Sequence, residues 1–327
     1  MNDELCDDMT RGFRMGRLYL AGDSGGTKTD WLVFDDAGDV HYRHRTSGLA
    51  RLHPGTLSYD SLREELSFLG DLSVCRAYLS LGGPNVDEVV GLLQLALRCC
   101  PVEVERESTG NMILLSGGLL GCRAAVMVGT GSVAMGDVGG KRVYAGGWGP
   151  VYGDEGAGGG LGFRILHRFL RSIDGMSEAG RLGELFVDIL SGLDIGTFAG
   201  RMELKRRANA LERHQLAGLA PGLMELYRGG DAVACELLED AARENAMLAR
   251  AVTCADDCCG VLGIGGLFQL GIEFRELCEA ALSGFRPNHH WVWCPEFSPV
   301  KAAMIKMLHE AGHGIKMTKD QEFEIVS

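Results

Sequence analysis

The chain has 327 residues, of which 46% are hydrophobic and 23% charged. This is the composition of a folded globular protein with room for two domains. The formal net charge of -12 argues against nucleic-acid or acidic-membrane binding, because both require clustered lysine and arginine. The chain has no apolar run of membrane-spanning length and no signal-peptide pattern, so we expect a polar tail over residues 1–17, a cytoplasmic location and a small-molecule partner.

The segment Leu18–Phe34 predicts two strands joined by a tight polar turn. Glycines in this turn let the backbone reverse and expose N–H groups that can hold an anion. The carboxylate of Asp23 beside them would suit a hydrated Mg²⁺. A Gly-Gly hairpin needs no ligand, however, so this segment alone is equally well explained as a simple hairpin. The turn residues are Ser24, Gly25, Gly26, Thr27, Lys28 and Thr29.

The next elements alternate between helix and strand. Three antiparallel strands followed by this alternation predict an α/β architecture with a mixed sheet. The predicted elements are a strand at Val40–Arg45, a helix at Tyr59–Leu69, a strand at Cys75–Leu81, a helix at Val86–Cys99 and a strand at Val102–Glu105.

The opening pattern then recurs. The apolar run Ala124–Val128 enters a second Gly-Thr/Ser turn, and two further strands follow up to Tyr144. An internal repeat of this kind predicts that a nucleotide is held from two sides. The second turn consists of Gly129, Thr130, Gly131 and Ser132.

A glycine-dense loop, Gly146–Gly162, leads into a predicted helix at Phe163–Leu170. Flexible linkers are also rich in glycine, but they lack the embedded Trp148, Asp154 and Glu155. We therefore expect these glycines to let the backbone approach a ligand.

The rest of the chain is predicted to be mostly helical up to Arg250. Reduced thiols are favoured for the eleven cysteines, and a metal or iron–sulfur site at Cys254–Cys259 is the minor alternative. The remaining predicted elements are a strand at Val261–Phe268 containing Gly265 and Gly266, a helix at Ile272–Leu282, a strand at His290–Cys294 and a helix at Pro299–Ala311.

Four motifs in order carry a family resemblance. They are Asp23–Asp30, Gly129–Ser132, Gly153–Gly156 and Gly265–Phe268. In this order they resemble the N-acetylglucosamine kinase-like and BadF-type (BadF/BadG/BcrA/BcrD) ATPase family of the sugar kinase, chaperone ATPase and actin superfamily. The resemblance covers most of the chain.

The resemblance implies two ribonuclease-H-like α/β domains, each a mixed sheet flanked by helices, with ATP and Mg²⁺ in an interdomain cleft. The first domain would span residues 18–116, with a helix at 298–312 packing back on it, and the second residues 117–297. Asp23 would position Mg²⁺. The two Gly-Thr/Ser turns would bind phosphates, and Gly265 and Gly266 would bind adenosine.

The resemblance also places a catalytic carboxylate at Glu107, where the family has an aspartate. The added methylene would move the base, so slower or altered chemistry is one expectation. A surface or helix N-terminal residue is the alternative interpretation of Glu107.

The residues expected to contact the sugar that accepts the phosphoryl group differ further from the family, because Ala50 and Val133 replace expected asparagines. Trp148 could stack on a sugar ring, and Asp154 and Glu155 could line the site. Arg51, with the nearby His53, favours an anionic acceptor rather than plain N-acetylglucosamine.

Three functions follow as hypotheses. The first is an ATP-dependent kinase acting on an amino sugar or related sugar. The second is an ATPase that activates a partner enzyme and carries an iron–sulfur cluster. The third is a nucleotide-binding regulator without transfer chemistry. A homodimer is left open.

Overall fold

The computed structural model describes residues 17–25, 28–49, 55, 57–70, 72–81, 85–97, 101–106, 120–294, 298–317 and 323–326. The chain divides into two compact units. Unit 1 comprises Met1–Ser116 and Pro299–Ser327, and unit 2 comprises Gly117–Ser298. None of the helices in the described ranges has the length and apolar character needed to cross a membrane.

The strands of the described residues form two five-stranded sheets and one two-stranded sheet. They are β1 Leu18–Ser24, β2 Lys28–Asp35, β3 Val40–Ser47, β4 Val74–Leu81, β5 Val102–Glu105, β6 Cys122–Val128, β7 Ser132–Val138, β8 Lys141–Gly146, β9 Gly260–Ile264, β10 His290–Trp293, β11 Gly314–Met317 and β12 Phe323–Val326.

The helices pack on the two larger sheets and on one another. Short 3₁₀ helices lie at Leu66–Leu69, Leu182–Phe186 and Gly266–Leu270. The α-helices are α1 Tyr59–Glu65, α2 Val86–Ala96, α3 Gly158–Ile173, α4 Val187–Leu190, α5 Phe198–Asn209, α6 Arg213–Ala217, α7 Ala220–Arg228, α8 Ala232–Ala251, α9 Ile272–Phe285 and α10 Pro299–Glu310.

Unit 1 is built around β1, a central strand that is buried along almost its whole length. The strand order is β3-β2-β1-β4-β5, with β2 antiparallel and β4 parallel to β1. Space beside β1 is so limited that a Cβ added at Gly22 would lie 2.6 Å from the Trp31 ring and 2.7 Å from Leu79. Helix α10 packs against β1, β2 and β4 through buried residues such as Ala302 and Ala303.

Unit 2 repeats this topology. Its order is β10-β9-β6-β7-β8, with β7 antiparallel and β9 parallel to β6. Strands β6, β7 and β8 thus correspond to β1, β2 and β3, and the repeat predicted from the sequence is confirmed. In both sheets a turn rich in glycine and hydroxyl residues follows the central strand.

Helix α3 begins at Gly158, earlier than the predicted start at Phe163. The glycines of its first turns pack against the protein's own backbone. A Cβ at Gly160 would lie 2.1 Å from the carbonyl oxygen of Asp154, and one at Gly162 would lie 2.0 Å from that of Leu216. For these glycines the expected approach to a ligand is wrong, because the space is filled by backbone. The β11–β12 pair was not predicted.

We predict that Gly162→Ala destabilises the protein by about 1–3 kcal/mol, because its methyl group would overlap the Leu216 carbonyl. The matched control is Gly284→Ala in α9, where a Cβ meets no heavy atom within 4 Å. There the higher helix propensity of alanine should stabilise by up to about 1 kcal/mol. Denaturant unfolding of both variants checks this, and equal effects at the two sites would contradict the packing described for α3.

Candidate active site

The β1–β2 turn lies at the end of the central strand of unit 1. It is closed by a hydrogen bond from the Gly25 N–H to the Lys28 carbonyl, at 2.9 Å. Two predicted phosphate-loop residues, Gly26 and Thr27, lie outside the described residues. The flanking strands therefore define the geometry of this part of the site.

Two buried hydroxyls fix the base of the turn. The Leu49 N–H donates to Ser24 Oγ at 2.9 Å, and Thr29 Oγ1 donates to the Ser47 carbonyl at 2.9 Å. Because the Thr29 proton is committed, Ser24 Oγ is the donor in the 2.8 Å bond between the two hydroxyls. The series of hydrogen bonds continues at the Leu49 carbonyl, which accepts from Asn85 Nδ2 at 2.9 Å. Ser24 and Thr29 thus tie the turn to the segment after β3, and their predicted phosphate contacts stay a prediction.

Asp23 carries a carboxylate oxygen that the fold leaves unpaired. Neither Asp23 Oδ1 nor Ser80 Oγ makes a hydrogen bond of normal geometry, and both atoms are buried. The two residues are paired in register on the parallel strands β1 and β4. Burial, and then the charge of Asp30, raise the pKa of Asp23 to about 7, while the charge of Lys28 and the nearby Ser80 hydroxyl oppose the rise.

A divalent cation fits this arrangement. A buried carboxylate oxygen without a well-aligned hydrogen-bond donor is costly when the group is charged, and a nearby cation reduces that cost. Mg²⁺ commonly takes only one or two carboxylates and completes its shell with water and phosphate oxygens. In the described ranges, the surroundings of Asp23 and the region from Cys254 to Cys259 included, no three histidine, cysteine or acidic side chains are grouped so that they could hold a metal by themselves.

Asp30 is a site residue to which the sequence assigned no role. It faces Asp23 across β1 and β2. Its two carboxylate oxygens bind Lys28 Nζ at 3.1 Å and Arg45 Nε at 2.6 Å. Lys28, predicted to bind phosphate, is therefore held in an ion pair at the rim of the turn. The motif Asp23–Asp30 includes Asp30, but the place of Asp30 opposite Asp23 follows only from the strand register.

The second turn, Gly129–Ser132, is joined to the start of α3. The N–H groups of Gly158 and Gly159 donate to the carbonyls of Gly129 and Thr130, at 2.8 and 3.0 Å. Helix α3 has no side-chain cap, so these carbonyls satisfy N–H groups that would otherwise be unpaired. The turn and the helix are one hydrogen-bonded structure.

Asp154 braces this turn from the side. Its side chain is buried, and Oδ1 accepts from the Ser132 N–H at 2.7 Å. Oδ2 forms an ion pair with Arg213, which also donates to the Thr130 carbonyl at 3.1 Å. Both oxygens thus have partners within unit 2, and the predicted contact of Asp154 with a sugar stays a prediction. No sequence motif identified Arg213.

The Gly265–Gly266 pair lies beside the second turn, because β9 runs parallel to β6. A Cβ at Gly265, whose φ is 117°, would lie 2.3 Å from the Val128 carbonyl, so only glycine fits. A Cβ added at Gly266 would meet no heavy atom within 4 Å, and the residue is exposed. Unit 2 therefore offers open backbone next to a glycine-rich turn, which suits a flat ring attached to phosphates.

The remaining predicted acceptor residues are either exposed or outside the described residues. Trp148 is 77% exposed. Glu155 is exposed and lines a cavity of about 150 Å³ together with Ser132 and Glu244. Burial, and then the charge of Glu155, raise the pKa of Glu244. The predicted base Glu107 and the predicted acceptor residues Arg51, Ala50 and His53 lie outside the described residues.

Solved structures of sugar kinases share this fold. A protein provisionally assigned as an N-acetylglucosamine kinase from Chromobacterium violaceum has a TM-score of 0.66 and 23% identity, over 89% of this chain and 99% of its own. A ROK family glucokinase from Streptomyces griseus, solved with glucose and AMPPNP, has a TM-score of 0.59 and 15% identity, over 90% and 99%. The chain therefore shares the fold of these sugar kinases.

A curated relative is also similar in sequence. It is the N-acetylmuramic acid/N-acetylglucosamine kinase of Clostridium acetobutylicum, 30% identical over 142 residues. The match covers 43% of this chain and 45% of the relative, so it spans less than half of either. No protein-family model matches the chain. The predicted resemblance to N-acetylglucosamine kinases is confirmed, and that to BadF-type ATPases stays a prediction.

We predict that Ser24→Ala lowers the free energy of unfolding by about 1–3 kcal/mol, because it leaves the buried Leu49 N–H and Thr29 hydroxyl without their shared partner. The control is Ser67→Ala, at an exposed position, which should change it by less than about 0.5 kcal/mol. Urea titrations of the two variants and the wild type provide the comparison. A Ser24→Ala protein as stable as Ser67→Ala would show that the hydroxyl chain does not hold the turn.

Proposed function

We propose that the protein is an ATP-dependent sugar kinase that transfers the γ-phosphate of ATP to a hydroxyl of an amino sugar. The observation that carries the proposal is the unpaired carboxylate of Asp23 at the end of β1, in a topology that unit 2 repeats with the Gly129–Ser132 turn. The sugar kinases with the same fold support it.

In the proposed reaction, unit 1 supplies the metal site. Asp23 would hold a hydrated Mg²⁺, which neutralises charge on the phosphates when bound. Lys28 would leave its surface ion pair with Asp30 to contact phosphate, an exchange of one partly exposed pair for another. The N–H groups of the β1–β2 turn would donate to phosphate oxygens.

Unit 2 supplies the nucleotide contacts. The exposed Thr130 and the turn around it would bind phosphate, and the open backbone at Gly266 would lie against the adenine ring. Gly265 keeps the two segments adjacent, since its Cα approaches the Val128 carbonyl. These contacts orient the nucleotide, and positioning is most of what catalysis of phosphoryl transfer requires.

Glu107 would accept the proton of the sugar hydroxyl. The assignment rests on its place after the strand β5, where related kinases carry an aspartate. A carboxylate of ordinary pKa can serve as this base, because the hydroxyl proton moves as the phosphoryl group is transferred. The sugar oxygen forms the new bond to the γ-phosphorus, the bond from that phosphorus to the bridging oxygen of ADP breaks, and the carboxylate takes the proton.

The acceptor is proposed to be an amino sugar that carries an acidic group. Arg51 follows Ala50, which stands where the family has an asparagine, and its guanidinium would pair well with a carboxylate. The curated relative is named for N-acetylmuramic acid as well as N-acetylglucosamine, and the first of these sugars bears a carboxylate. Trp148 would stack on the sugar ring, and Glu155 would face its hydroxyls.

The direct test follows ADP release from Mg-ATP with a panel of neutral and acidic amino sugars. We expect acceptor-dependent release in the wild type, reduced about a hundredfold or more by Asp23→Asn and by Glu107→Gln, because each removes a group acting in the transition state. The exposed Asp60→Asn is the control and should be unaffected.

Three results would count against this function. ADP release without any acceptor dependence would favour a partner-activating ATPase. Nucleotide binding without release would favour a regulator. Equal rates of ADP release for Asp23→Asn and Asp60→Asn would show that Asp23 has no role in the reaction.

We also predict that Arg51→Met raises the KM for N-acetylmuramic acid about tenfold or more while changing the KM for N-acetylglucosamine little, because only the acidic sugar loses a charge-assisted hydrogen bond. Steady-state kinetics with both sugars measure the ratio. A uniform change in both KM values, or a wild type that prefers N-acetylglucosamine, would contradict the acidic acceptor.

A further inference from the structure

The Arg213 side chain connects parts of unit 2 that are far apart in the sequence. Arg213 is the first residue of α6. Its Nη2 donates to the carbonyl of Thr130, at 3.1 Å, and to Oδ2 of Asp154. One nitrogen thus joins α6, the Gly129–Ser132 turn and the loop before α3.

The surrounding backbone leaves room for this guanidinium. A Cβ at Gly159 would lie 2.8 Å from Arg213 Nε, and a Cβ at Gly131 would lie 3.1 Å from Asp154 Oδ1. Asp154 itself has a φ of 65°, the one non-glycine residue with positive φ in the described ranges. Two glycines and one strained aspartate therefore make a compact ion pair possible, and such strain persists only where its surroundings enforce it.

Asp154 is more deeply buried than Arg213, so its charge depends on this ion pair. Asp154 is 4% exposed, whereas the Arg213 side chain is half-buried. A buried carboxylate that loses its cation is strongly destabilised. Asp154 Oδ1 holds the Ser132 N–H at the same time, so a shift of this carboxylate moves the turn.

We propose that Arg213 is a positioning residue for nucleotide binding: it holds Thr130 and, through Asp154, Ser132 in the conformation in which the turn receives phosphate. The inference rests on the proposed function, since it assigns the turn to ATP. Arg213 does not touch the reacting atoms. It acts by keeping the N–H groups of the turn pre-oriented, so that they need not reorganise when the nucleotide binds.

A lysine at position 213 should retain only part of the function of Arg213. Its ammonium group can pair with Asp154, but it lacks the planar fork of donors that serves a carboxylate and a carbonyl together. The matched control is Arg228, an arginine of α7 in the same unit. Arg228 forms ion pairs with Glu225 at 2.6 Å and Glu273 at 2.8 Å and donates to the Leu270 carbonyl at 3.2 Å. Among the described residues it has no hydrogen bond or ion pair with the Gly129–Ser132 turn.

The experiment compares the wild type, Arg213→Met, Arg213→Lys and Arg228→Met. Calorimetry gives the affinity for Mg-AMPPNP. Amide hydrogen exchange of the nucleotide-free proteins gives the protection of peptides that contain Ser132 and Gly159. Thermal unfolding confirms that each variant is folded.

We expect Arg213→Met to bind Mg-AMPPNP about 10- to 100-fold more weakly and to exchange faster at both peptides, with Arg213→Lys between it and the wild type. Arg228→Met should match the wild type in both measurements, whatever its thermal stability. Even where Arg213→Met does not fold, the lysine variant keeps the ordering testable.

Unchanged exchange and affinity in both Arg213 variants would overturn the inference, as would an equal loss in Arg228→Met. The failure of the proposed function gives a different result. A wild type that binds Mg-AMPPNP but transfers no phosphate to a sugar leaves the affinity comparison valid. Where the wild type binds no Mg-AMPPNP at all, the exchange comparison still decides whether Arg213 holds the turn.

Discussion

The buried, unpaired carboxylate of Asp23 is the constraint around which unit 1 is arranged. Burial and the charge of Asp30 raise the pKa of Asp23 to about 7, so the fold itself disfavours the charged form of this group. The structure keeps the carboxylate nevertheless, and it fixes the adjoining turn with the hydroxyls of Ser24 and Thr29. A bound cation would offset the cost of burying this charge, which connects the unpaired oxygen of Asp23 to its proposed use.

In unit 2, the buried carboxylate beside the turn is paired. The same strand topology places the Gly129–Ser132 turn at the end of β6, but here the buried carboxylate, Asp154, has partners on both oxygens. The first turn is thus left open to a cation, whereas the second is braced by protein. This difference agrees with the proposal of a metal site in unit 1 and a preorganised phosphate turn in unit 2, as expected when a nucleotide is bound by its phosphates.

Much of the fold was predictable because local patterns and global topology agree. The apolar runs around Asp23 and before Gly129 predicted central strands, and the repeat of strand and turn predicted two similar sheets. The early start of α3 was missed, since glycine disfavours helix and Gly158 is stabilised by a distant carbonyl. Arg213 was missed for the same reason: its role depends on a contact with Thr130 that no local pattern encodes. Asp30 stood within a quoted motif, but its effect on Asp23 required the strand register.

The central claim is that Asp23 holds the metal of a metal–nucleotide complex. The most direct measurement is the affinity for AMPPNP in Mg²⁺ and in EDTA, for the wild type and for Asp23→Asn. The account predicts that Mg²⁺ strengthens binding in the wild type by a factor that Asp23→Asn largely loses, while the two proteins bind metal-free nucleotide alike. An equal gain from Mg²⁺ in both proteins would contradict it.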